Sequence, residues 1–376
     1  MRALVVSGIW PPDVGGPASH APEVARWLHE HAWEVEVVTT ASAPPAPQPY
    51  PVRFVPRALP TGMRHLAGAR LVASRARRAD VVYTTGTFGR SAAGASLVRR
   101  PYVVKLTADP AFERARRRGL VRGDVDEFQQ GGGGARAAVL RFARDVELRH
   151  AAHVFTPSAY LRELALRWGL SPARVSVLPN PAPELPELAA RDDVRRALSF
   201  DGPTFAFAGR LTAQKSLETA LEALARVPEA TLVIAGDGDR LDALRARASQ
   251  LGLNGRVRFL GAQPRQRVLE LFHAADGALL SSAWENFPHT VVEALAAGTP
   301  VIATDVGGVR EAVEDGRNGL IVPAGDVEAL ADALRRYIDD GELRARLQRE
   351  AQPSVERFSA EAVFTELESV LRGVAA

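Results

Sequence analysis

Short apolar runs that suit β-strands alternate with amphipathic helical stretches along this chain, and the series starts over in its second half. Such alternation predicts βα units around parallel sheets. A cluster of prolines, at 179, 181, 183 and 186, separates the two series and interrupts regular structure. The chain, at 376 residues, is long for one core, so we predict two doubly wound α/β domains. Their predicted bounds are 1–182 and 201–355, with a linker at 183–200 and a final helix at 356–376.

Three absences limit the classes of protein that fit this sequence. The chain has no cysteine, which excludes disulfides, thiolate metal sites and a cysteine nucleophile. Its first residues suit a strand better than a secretory signal, because no small-residue cleavage site follows the apolar run. No stretch approaches the ~18 consecutive apolar residues of a membrane span. We therefore expect a cytoplasmic protein.

Two of the loops that follow predicted strands carry residues suited to ligand binding. Gly15 and Gly16, with His20 four residues further on, follow the first strand; they indicate either a flexible turn or a close approach of the backbone to a ligand. Arg210 and Lys215 follow the first strand of the second series. An arginine fork and a lysine close together suit an extended diphosphate, although two solvated surface cations are the simpler interpretation.

A third loop carries two glutamates eight residues apart, Glu285 and Glu293, with Pro288 between them. Pro288 suits the first turn of a helix, which puts Glu285 in the preceding loop and Glu293 inside the helix. Eight residues on a helix span about 12 Å, so the two carboxylates can bind two parts of one long ligand but not one small group. Carboxylates accept hydrogen bonds from hydroxyls, and a nucleotide sugar has this length. The alternative is two structural carboxylates.

The second half of the chain resembles the retaining glycosyltransferases of family 4, which have the GT-B fold. The resemblance rests on FAGRLTAQKS, IAGDGD, WENFPHTVVEALAAGTPVIATDVGG and NGLIVPAGD, which follow one another between about residues 205 and 326. It extends more loosely to Gly15, Gly16 and His20. The resemblance implies two Rossmann-like domains that face each other across a cleft. The first would bind the acceptor and the second the nucleotide sugar, and the final helix would cross back to the first.

The resemblance also implies roles for individual residues of the donor site. Arg210 and Lys215 are expected to bind the donor diphosphate, and Glu293 the ribose hydroxyls. Glu285 is expected to act in catalysis, through a sugar hydroxyl near the reacting carbon. Further donor contacts are expected from Gly15, Gly16, Gly236, Asn286, Phe287 and Pro288. Transfer in this family is thought to proceed on one face of the sugar, with the leaving diphosphate assisting removal of the acceptor proton.

One segment departs from the family pattern. Many members carry a histidine after the strand that corresponds to residues 102–106, where this sequence continues with Thr107, Ala108 and Asp109. We expect Asp109, together with Glu113, to take over part of that role, and Asp109 to act in catalysis. The residues expected to contact the acceptor are His20, Glu113, Arg114 and Arg117.

The segment Asp237-Gly238-Asp239 has the spacing of a D-x-D metal site. Because it follows a strand and precedes a helix, its residues better suit a turn and a helix cap. We expect no metal and no cofactor, with a UDP- or GDP-sugar as substrate. The expected acceptor is a glycolipid, a polysaccharide precursor or a small phosphorylated molecule in cell-envelope glycan synthesis. The alternatives on the same fold are a sugar-nucleotide epimerase and a catalytically silent nucleotide-sugar-binding subunit.

Charge divides the chain into a basic and an acidic half. Residues 1–200 carry 28 basic and 18 acidic side chains (+10), and residues 201–376 carry 19 and 26 (−7). Residues 51–122 alone hold 16 basic and 3 acidic side chains. Three interpretations stay open: a solvated helix face, peripheral contact with the anionic inner face of a membrane, and recognition of an acidic or phosphorylated acceptor near Arg114. Few aromatic residues interleave the arginines, which disfavours nucleic acid.

Overall fold

A computed structural model describes residues 1–13, 16–121 and 125–376 of the chain. The chain divides into two compact units. Unit 1 comprises Met1–Asn180 and Glu361–Ala376, and unit 2 comprises Pro181–Ala360. The boundary that follows Asn180 lies inside the proline-rich segment. No helix in the described ranges combines the length and the apolar character needed to cross a bilayer.

Unit 1 is built on a parallel sheet of seven strands in the part of the chain that is described. The strands are β1 Arg2–Val6, β2 Glu34–Ala41, β3 Val52–Pro56, β4 Val81–Thr84, β5 Tyr102–Lys105, β6 His153–Thr156 and β7 Val175–Val177, in the order β3-β2-β1-β4-β5-β6-β7. The helices between them are α1 Gly16–Glu30, α2 Thr61–Ala76, α3 Phe88–Leu97, α4 Pro110–Arg117, α5 Val125–Gln129, α6 Gly134–Arg149 and α7 Ala159–Arg167. Every residue of β4 and β5 is buried, as expected for strands covered on both faces.

Unit 2 is built on a second parallel sheet, of six strands. The strands are β8 Thr204–Ala208, β9 Thr231–Ala235, β10 Val257–Gly261, β11 Gly277–Leu280, β12 Val301–Thr304 and β13 Gly319–Val322, in the order β10-β9-β8-β11-β12-β13. The helices are α8 Arg191–Leu198, α9 Leu217–Ala225, α10 Leu241–Gln250, α11 Arg265–Ala274, α12 His289–Ala296, α13 Val327–Asp339 and α14 Gly341–Ala351. Alternate residues of β8 lie in different hydrophobic cores. Phe205 and Phe207 belong to one core, and Ala206 and Ala208 belong to the other.

The α/β class and the two doubly wound, Rossmann-like domains predicted from the sequence are confirmed. In both sheets the strand order reverses beside the first strand of the unit, between β1 and β4 and between β8 and β11. The carboxyl ends of strands at such a reversal frame the crevice in which open α/β sheets bind ligands. The loops after β8 and β11 carry Arg210, Lys215 and Glu285, so these predicted residues lie at the crevice of unit 2.

The predicted linker at 183–200 is wrong over its second part. Residues 191–198 form α8, and Val194 and Leu198, four residues apart, are buried in one core of unit 2. Arg191 and Arg195 of the same helix both pair with Asp276, at 2.8 and 3.1 Å. A helix anchored by an apolar face and by two ion pairs belongs to the domain, so the extended connection ends before Arg191.

The predicted final helix at 356–376 begins later than expected, because residues Pro353–Phe358 form a 3₁₀ helix. The last helix, α15 (Ala360–Ala375), belongs to unit 1 except for its first residue. Its Phe364 ring packs against Trp27 of α1 at 5.6 Å between centroids, and its Glu368 accepts a hydrogen bond from Trp33 Nε1 at 3.0 Å. The core of unit 1 therefore includes residues from both ends of the sequence.

Candidate functional site

The loops after β8 and β11 are joined by hydrogen bonds, although about 70 residues separate them. The amide of Ala283 donates to the Gln214 carbonyl at 2.8 Å, and Gln214 Nε2 donates to the Trp284 carbonyl at 3.0 Å. Ser281 Oγ donates to the Lys215 carbonyl at 2.9 Å. Two motifs that are distant in sequence thus form one continuous rim of the crevice.

Lys215 and Glu285 form an ion pair in this rim, with 2.6 Å between Nζ and Oε1. The lysine side chain is 15% exposed and the glutamate side chain 7%. Ser282 Oγ donates to the same carboxylate oxygen, also at 2.6 Å. The sequence indicated that both residues bind the donor but did not predict that they bind each other. Because an ammonium has three N–H donors, Lys215 can keep Glu285 and still bind an anion.

A cavity of about 480 Å³ opens beside this rim at the ends of β8, β9 and β10. Eight of its lining residues, among them Arg210, Gly236 and Glu293, come from motifs singled out in the sequence, whereas Gln263 and Arg265 do not. Arg210 is exposed. Lys215 and Glu285 lie outside this lining. The predicted donor residues therefore divide between the cavity and the neighbouring ion pair.

Glu293 lies on α12 and pairs with Arg265, the first residue of α11, at 3.3 Å. Burial raises the pKa of Glu293, and Arg265 opposes part of that shift. Sequence reasoning missed Arg265. The signal that could have found it is its position just after a strand and a loop, the same position that identified Arg210. Arg265 orients a carboxylate whose apolar neighbours on α12, such as Val292, are buried in the core.

Two glycines allow the loops after β8 and β9 to touch through their backbones. A Cβ on Gly236 would lie 1.8 Å from the Gly209 carbonyl oxygen, and one on Gly238 would lie 2.3 Å from the Leu211 carbonyl oxygen. The Leu211 amide donates to the Asp237 carbonyl at 2.9 Å. Asp237 Oδ1 accepts from the Gly238 amide at 2.7 Å, as in a turn. Among the described residues, no three histidine or carboxylate side chains cluster as metal ligands would.

The segment Asn286–Pro288 enters α12 with one side chain in the core. Phe287 is buried, and its ring meets that of Phe358 edge to face, with 5.6 Å between centroids. Pro288 is the N-cap residue of α12. The Glu285 carbonyl accepts from the Gly308 amide at 3.3 Å, which ties the segment to the loop after β12. Contact of Phe287 with a donor is therefore limited to its main chain.

Asp109, predicted to act in catalysis, is a structural residue in unit 1. It is the N-cap of α4, where its Oδ1 accepts from the Ala111 amide at 2.8 Å. Its Oδ2 accepts from Gln129 Nε2 and from Arg144 Nη1, both at 2.8 Å. The carboxylate is fully buried. Because three donors and the surrounding core enclose it, the structure does not support the catalytic role predicted for Asp109.

The other residues predicted in unit 1 have different environments. His20 is buried, with its Nε2 2.8 Å from Tyr83 Oη. Arg114 is held by Glu147 through two bonds of 3.2 and 3.1 Å. Arg117 is exposed, and its Nε donates to the carbonyl of half-buried Glu113 at 3.3 Å. Gly16 is the first residue of α1, and Gly15 lies outside the described residues.

Comparison with known proteins assigns a domain to each half of the chain. Residues 191–353 match the family model described as Glycosyl transferases group 1. Residues 15–181 match the model described as Glycosyl transferase 4-like domain. The first of these domains includes α8, in agreement with the position of this helix in unit 2.

Curated relatives match the chain over different lengths. The lipopolysaccharide core biosynthesis glycosyltransferase LpsE of Rhizobium meliloti is 38% identical over 177 residues, which are 47% of this chain and 52% of LpsE. The chain thus spans about half the length of that relative. The glycogen synthase of Mycobacterium tuberculosis is 29% identical over 387 aligned residues, covering 96% of this chain and 91% of its own.

Solved structures match over the whole chain. Anabaena HepE, crystallised in complex with UDP, superposes with a TM-score of 0.80 at 21% identity. The match covers 99% of this chain and all of the HepE chain. At this level of identity the match shows the fold.

Proposed function

We propose that this chain, whose two halves match glycosyltransferase domain models, transfers a sugar from a nucleotide-diphosphate sugar to an acceptor hydroxyl. The observation that carries the proposal is the crevice of unit 2, where the cavity lined by Arg210, Arg265 and Glu293 adjoins the Lys215–Glu285 pair. Guanidinium and ammonium groups suit a diphosphate, and carboxylates suit the hydroxyls of ribose and hexose. One crevice thus offers partners for each part of such a donor.

In the proposed complex the nucleoside occupies the cavity. Glu293 accepts hydrogen bonds from the ribose hydroxyls while Arg265 favours the ionised form of its carboxylate and orients it. Arg210 and Lys215 bind the diphosphate. Each charge-assisted contact is worth roughly 1.5–3 kcal/mol, so the two cations can hold the diphosphate without a metal ion. The similarity to HepE, which binds UDP, supports a UDP-sugar as the donor.

In the proposed reaction the configuration at the sugar carbon is retained, as in the glycosyltransferases of family 4. The bond between the anomeric carbon and the β-phosphate oxygen breaks, and the acceptor oxygen forms its bond on the same face. The acceptor proton passes to the leaving phosphate oxygen, so no side chain acts as the base. Lys215 stabilises the charge that develops on the diphosphate. Glu285 accepts a hydrogen bond from a sugar hydroxyl and keeps Lys215 in place.

The proposed acceptor belongs to cell-envelope glycan synthesis and bears a free hydroxyl on a glycolipid, a polysaccharide precursor or a small phosphorylated molecule. The similarity over 177 residues to LpsE, named for lipopolysaccharide core biosynthesis, supports this class. In the proposed arrangement unit 1 binds the acceptor, because its exposed arginines can bind the polar or anionic groups of such a molecule. Peripheral contact with an anionic membrane would bring a lipid-linked acceptor to unit 1.

A thermal-shift panel of UDP, GDP, ADP and their sugars, run in excess EDTA, tests the donor site. We expect one nucleotide series to raise the melting temperature, because a ligand at 100 times its Kd stabilises a folded protein by about 2.7 kcal/mol. Arg210→Gln should weaken binding of that nucleotide about tenfold through loss of one charge-assisted contact. Arg226→Gln, which changes an exposed arginine paired with Glu328 outside the cavity, should leave binding unchanged.

Failure of every nucleotide to stabilise the wild-type protein would show that the donor-site proposal is wrong. Stabilisation that requires added Mn²⁺ would contradict the metal-free arrangement. Product analysis then separates the enzymatic alternatives. A transferase forms a glycoside only when an acceptor is present, an epimerase changes the donor alone, and a silent subunit binds the donor without forming a product.

A further inference from the structure

A second cavity, of about 580 Å³, lies within unit 1 and was not predicted. It is enclosed by α2, α3, α4 and α6. Its charged lining residues are His65, Arg90, Arg114, Arg118 and Glu147. Its three arginines all lie in the basic segment 51–122 that the sequence singled out. The cavity therefore combines three arginines and a histidine with one carboxylate.

Arg90 is half-buried and has no ion-pair partner in the part of the chain that the structure describes. Its Nε donates to His65 Nδ1 and its Nη1 to Thr40 Oγ1, both at 3.0 Å. Burial lowers the pKa of Arg90, and the charges of Arg64 and Arg57 lower it further. A guanidinium is too basic to lose its proton. Arg90 therefore stays positively charged, and its side-chain hydrogen bonds go to His65 and Thr40 rather than to a carboxylate of the described residues.

The two other arginines of the cavity differ in their pairing. Arg114 is already neutralised by Glu147, while Arg118 is exposed and has no ion pair among the described residues. His65 accepts the bond from Arg90 through Nδ1 when its ring is neutral, and burial together with Arg90 lowers the pKa of His65. Two arginines, Arg90 and Arg118, are thus available to one anion.

The first turn of α3 adds main-chain donors to the same cavity. Thr87, its N-cap residue, has a left-handed backbone with φ of 53° and gives no side-chain cap to the helix. Thr87 and Gly89 both line the cavity. Gly89 leaves room for Glu147, whose Oε1 would lie 2.8 Å from a Cβ at this position. A helix N-terminus beside two arginines is a favourable environment for phosphate.

We propose that this cavity binds a phosphate group through Arg90, Arg118 and the first turn of α3. The remaining walls include Leu66, Ala69, Ala93 and Leu140, which suit an apolar or weakly polar part next to the phosphate. The identification of this ligand with the sugar acceptor rests on the proposed function, whereas the binding of phosphate does not.

Titration of the full-length protein with inorganic phosphate and with glycerol 3-phosphate, at constant ionic strength, tests the cavity. Arg118→Gln and Arg90→Gln should each weaken binding about tenfold through loss of a charge-assisted contact. Glu147→Gln should tighten binding several-fold, because it removes the carboxylate and releases Arg114. Arg149→Gln, at an exposed arginine of α6 outside the cavity, should have no effect. Arg118 provides an exposed position where a substitution does not disturb packing.

A parallel flotation assay distinguishes the two sources of the phosphate. Vesicles of phosphatidylcholine with phosphatidylglycerol present a lipid headgroup, and vesicles of phosphatidylcholine alone are the control. Binding that Arg118→Gln weakens, in either the soluble or the vesicle assay, supports the proposal and identifies the source. Lack of binding in both assays, or equal binding by wild type, Arg118→Gln and Arg149→Gln, overturns it. If the wild-type protein binds phosphate but does not bind UDP, the result would instead count against the proposed function.

Discussion

At the scale of single residues, the ion pair of Lys215 and Glu285 links the loops after β8 and β11 at the crevice of unit 2. Both residues could be predicted from their motifs, because each follows a strand beside the reversal of strand order. Their pairing could not, since it depends on two loops about 70 residues apart meeting at 2.6 Å. Arg144 and Arg265 were missed for the same reason: each is defined by a carboxylate partner that is distant in sequence.

We expect Lys215→Met to destabilise the protein by about 3 kcal/mol, because Glu285 would be left buried without its cation. Glu285→Gln should lower the free energy of unfolding by less than Lys215→Met does. The double variant with both changes should be more stable than Lys215→Met alone. Urea unfolding measures all three. Arg226→Met, which breaks an exposed pair with Glu328, should cost less than about 1 kcal/mol. Additive effects of the two changes at Lys215 and Glu285 would show that the pair is not coupled.

Lys105 is one of only two lysines in the chain, and it is buried at the end of β5. Its Nζ donates to the carbonyls of Leu178 and Pro179, just before the boundary that follows Asn180. Burial lowers the pKa of Lys105 to about 7, although Glu366 acts in the opposite direction. Nothing in the sequence distinguished this lysine from a surface residue, because its burial results from the packing of β5 between β4 and β6.

The lowered pKa of Lys105 predicts a pH-dependent stability. Between about pH 7 and 10.5 the unfolded chain binds more protons at this position than the folded chain, so stability rises with pH in that window. Below pH 7 both states are protonated and the contribution is constant. Relative to Lys105→Met, the wild type should gain up to about 1.4 kcal/mol per pH unit between pH 7 and 10. Denaturant unfolding at several pH values measures this difference, and parallel curves would contradict it.

At the scale of elements, strands and helices with a strong apolar pattern could be predicted from the sequence. Short elements and those with few apolar residues could not. β4 and β5 contain the apolar runs 81–83 and 102–104, which the sequence shows directly. In α8 the apolar signal is reduced to Val194 and Leu198, and the prolines before it directed the prediction towards a linker. The start of α15 was missed because the 3₁₀ helix Pro353–Phe358 has its own buried residues, such as Phe358.

The contact between the loops after β8 and β9 gives a prediction at this scale. Gly238→Ala should force the loops apart, because the new Cβ would lie 2.3 Å from a backbone oxygen, and overpacking of this kind costs about 1–3 kcal/mol. UDP binding should weaken as well, since Gly236 in the same loop lines the cavity. Gly341→Ala is the control, because its nearest atom is the Arg344 Nη2 atom at 3.7 Å. Unfolding and UDP titration of both variants check the expectation, and equal behaviour would refute it.

At the scale of the whole molecule, the uneven charge of the sequence follows the structural units. Unit 1 holds 26 basic and 17 acidic side chains (+9), and unit 2 holds 21 and 27 (−6). Among the described residues the exposed large hydrophobic side chains are also confined to unit 1, including Leu66, Leu97 and Phe142. The charge was visible in the sequence, whereas the exposure of these residues depends on packing. A surface both basic and apolar is suited to contact with partners.

The assignment of α15 to unit 1 has a consequence for synthesis on the ribosome. All residues of unit 2 precede Glu361, so this unit is complete and free to fold before α15 has left the exit tunnel. Unit 1 starts first but must wait for Phe364 and Glu368 to cover Trp27 and Trp33. The N-terminal sheet thus has an open apolar site until α15 has been synthesised. A chain truncated before α15 would lose this packing in unit 1 and keep every residue of unit 2.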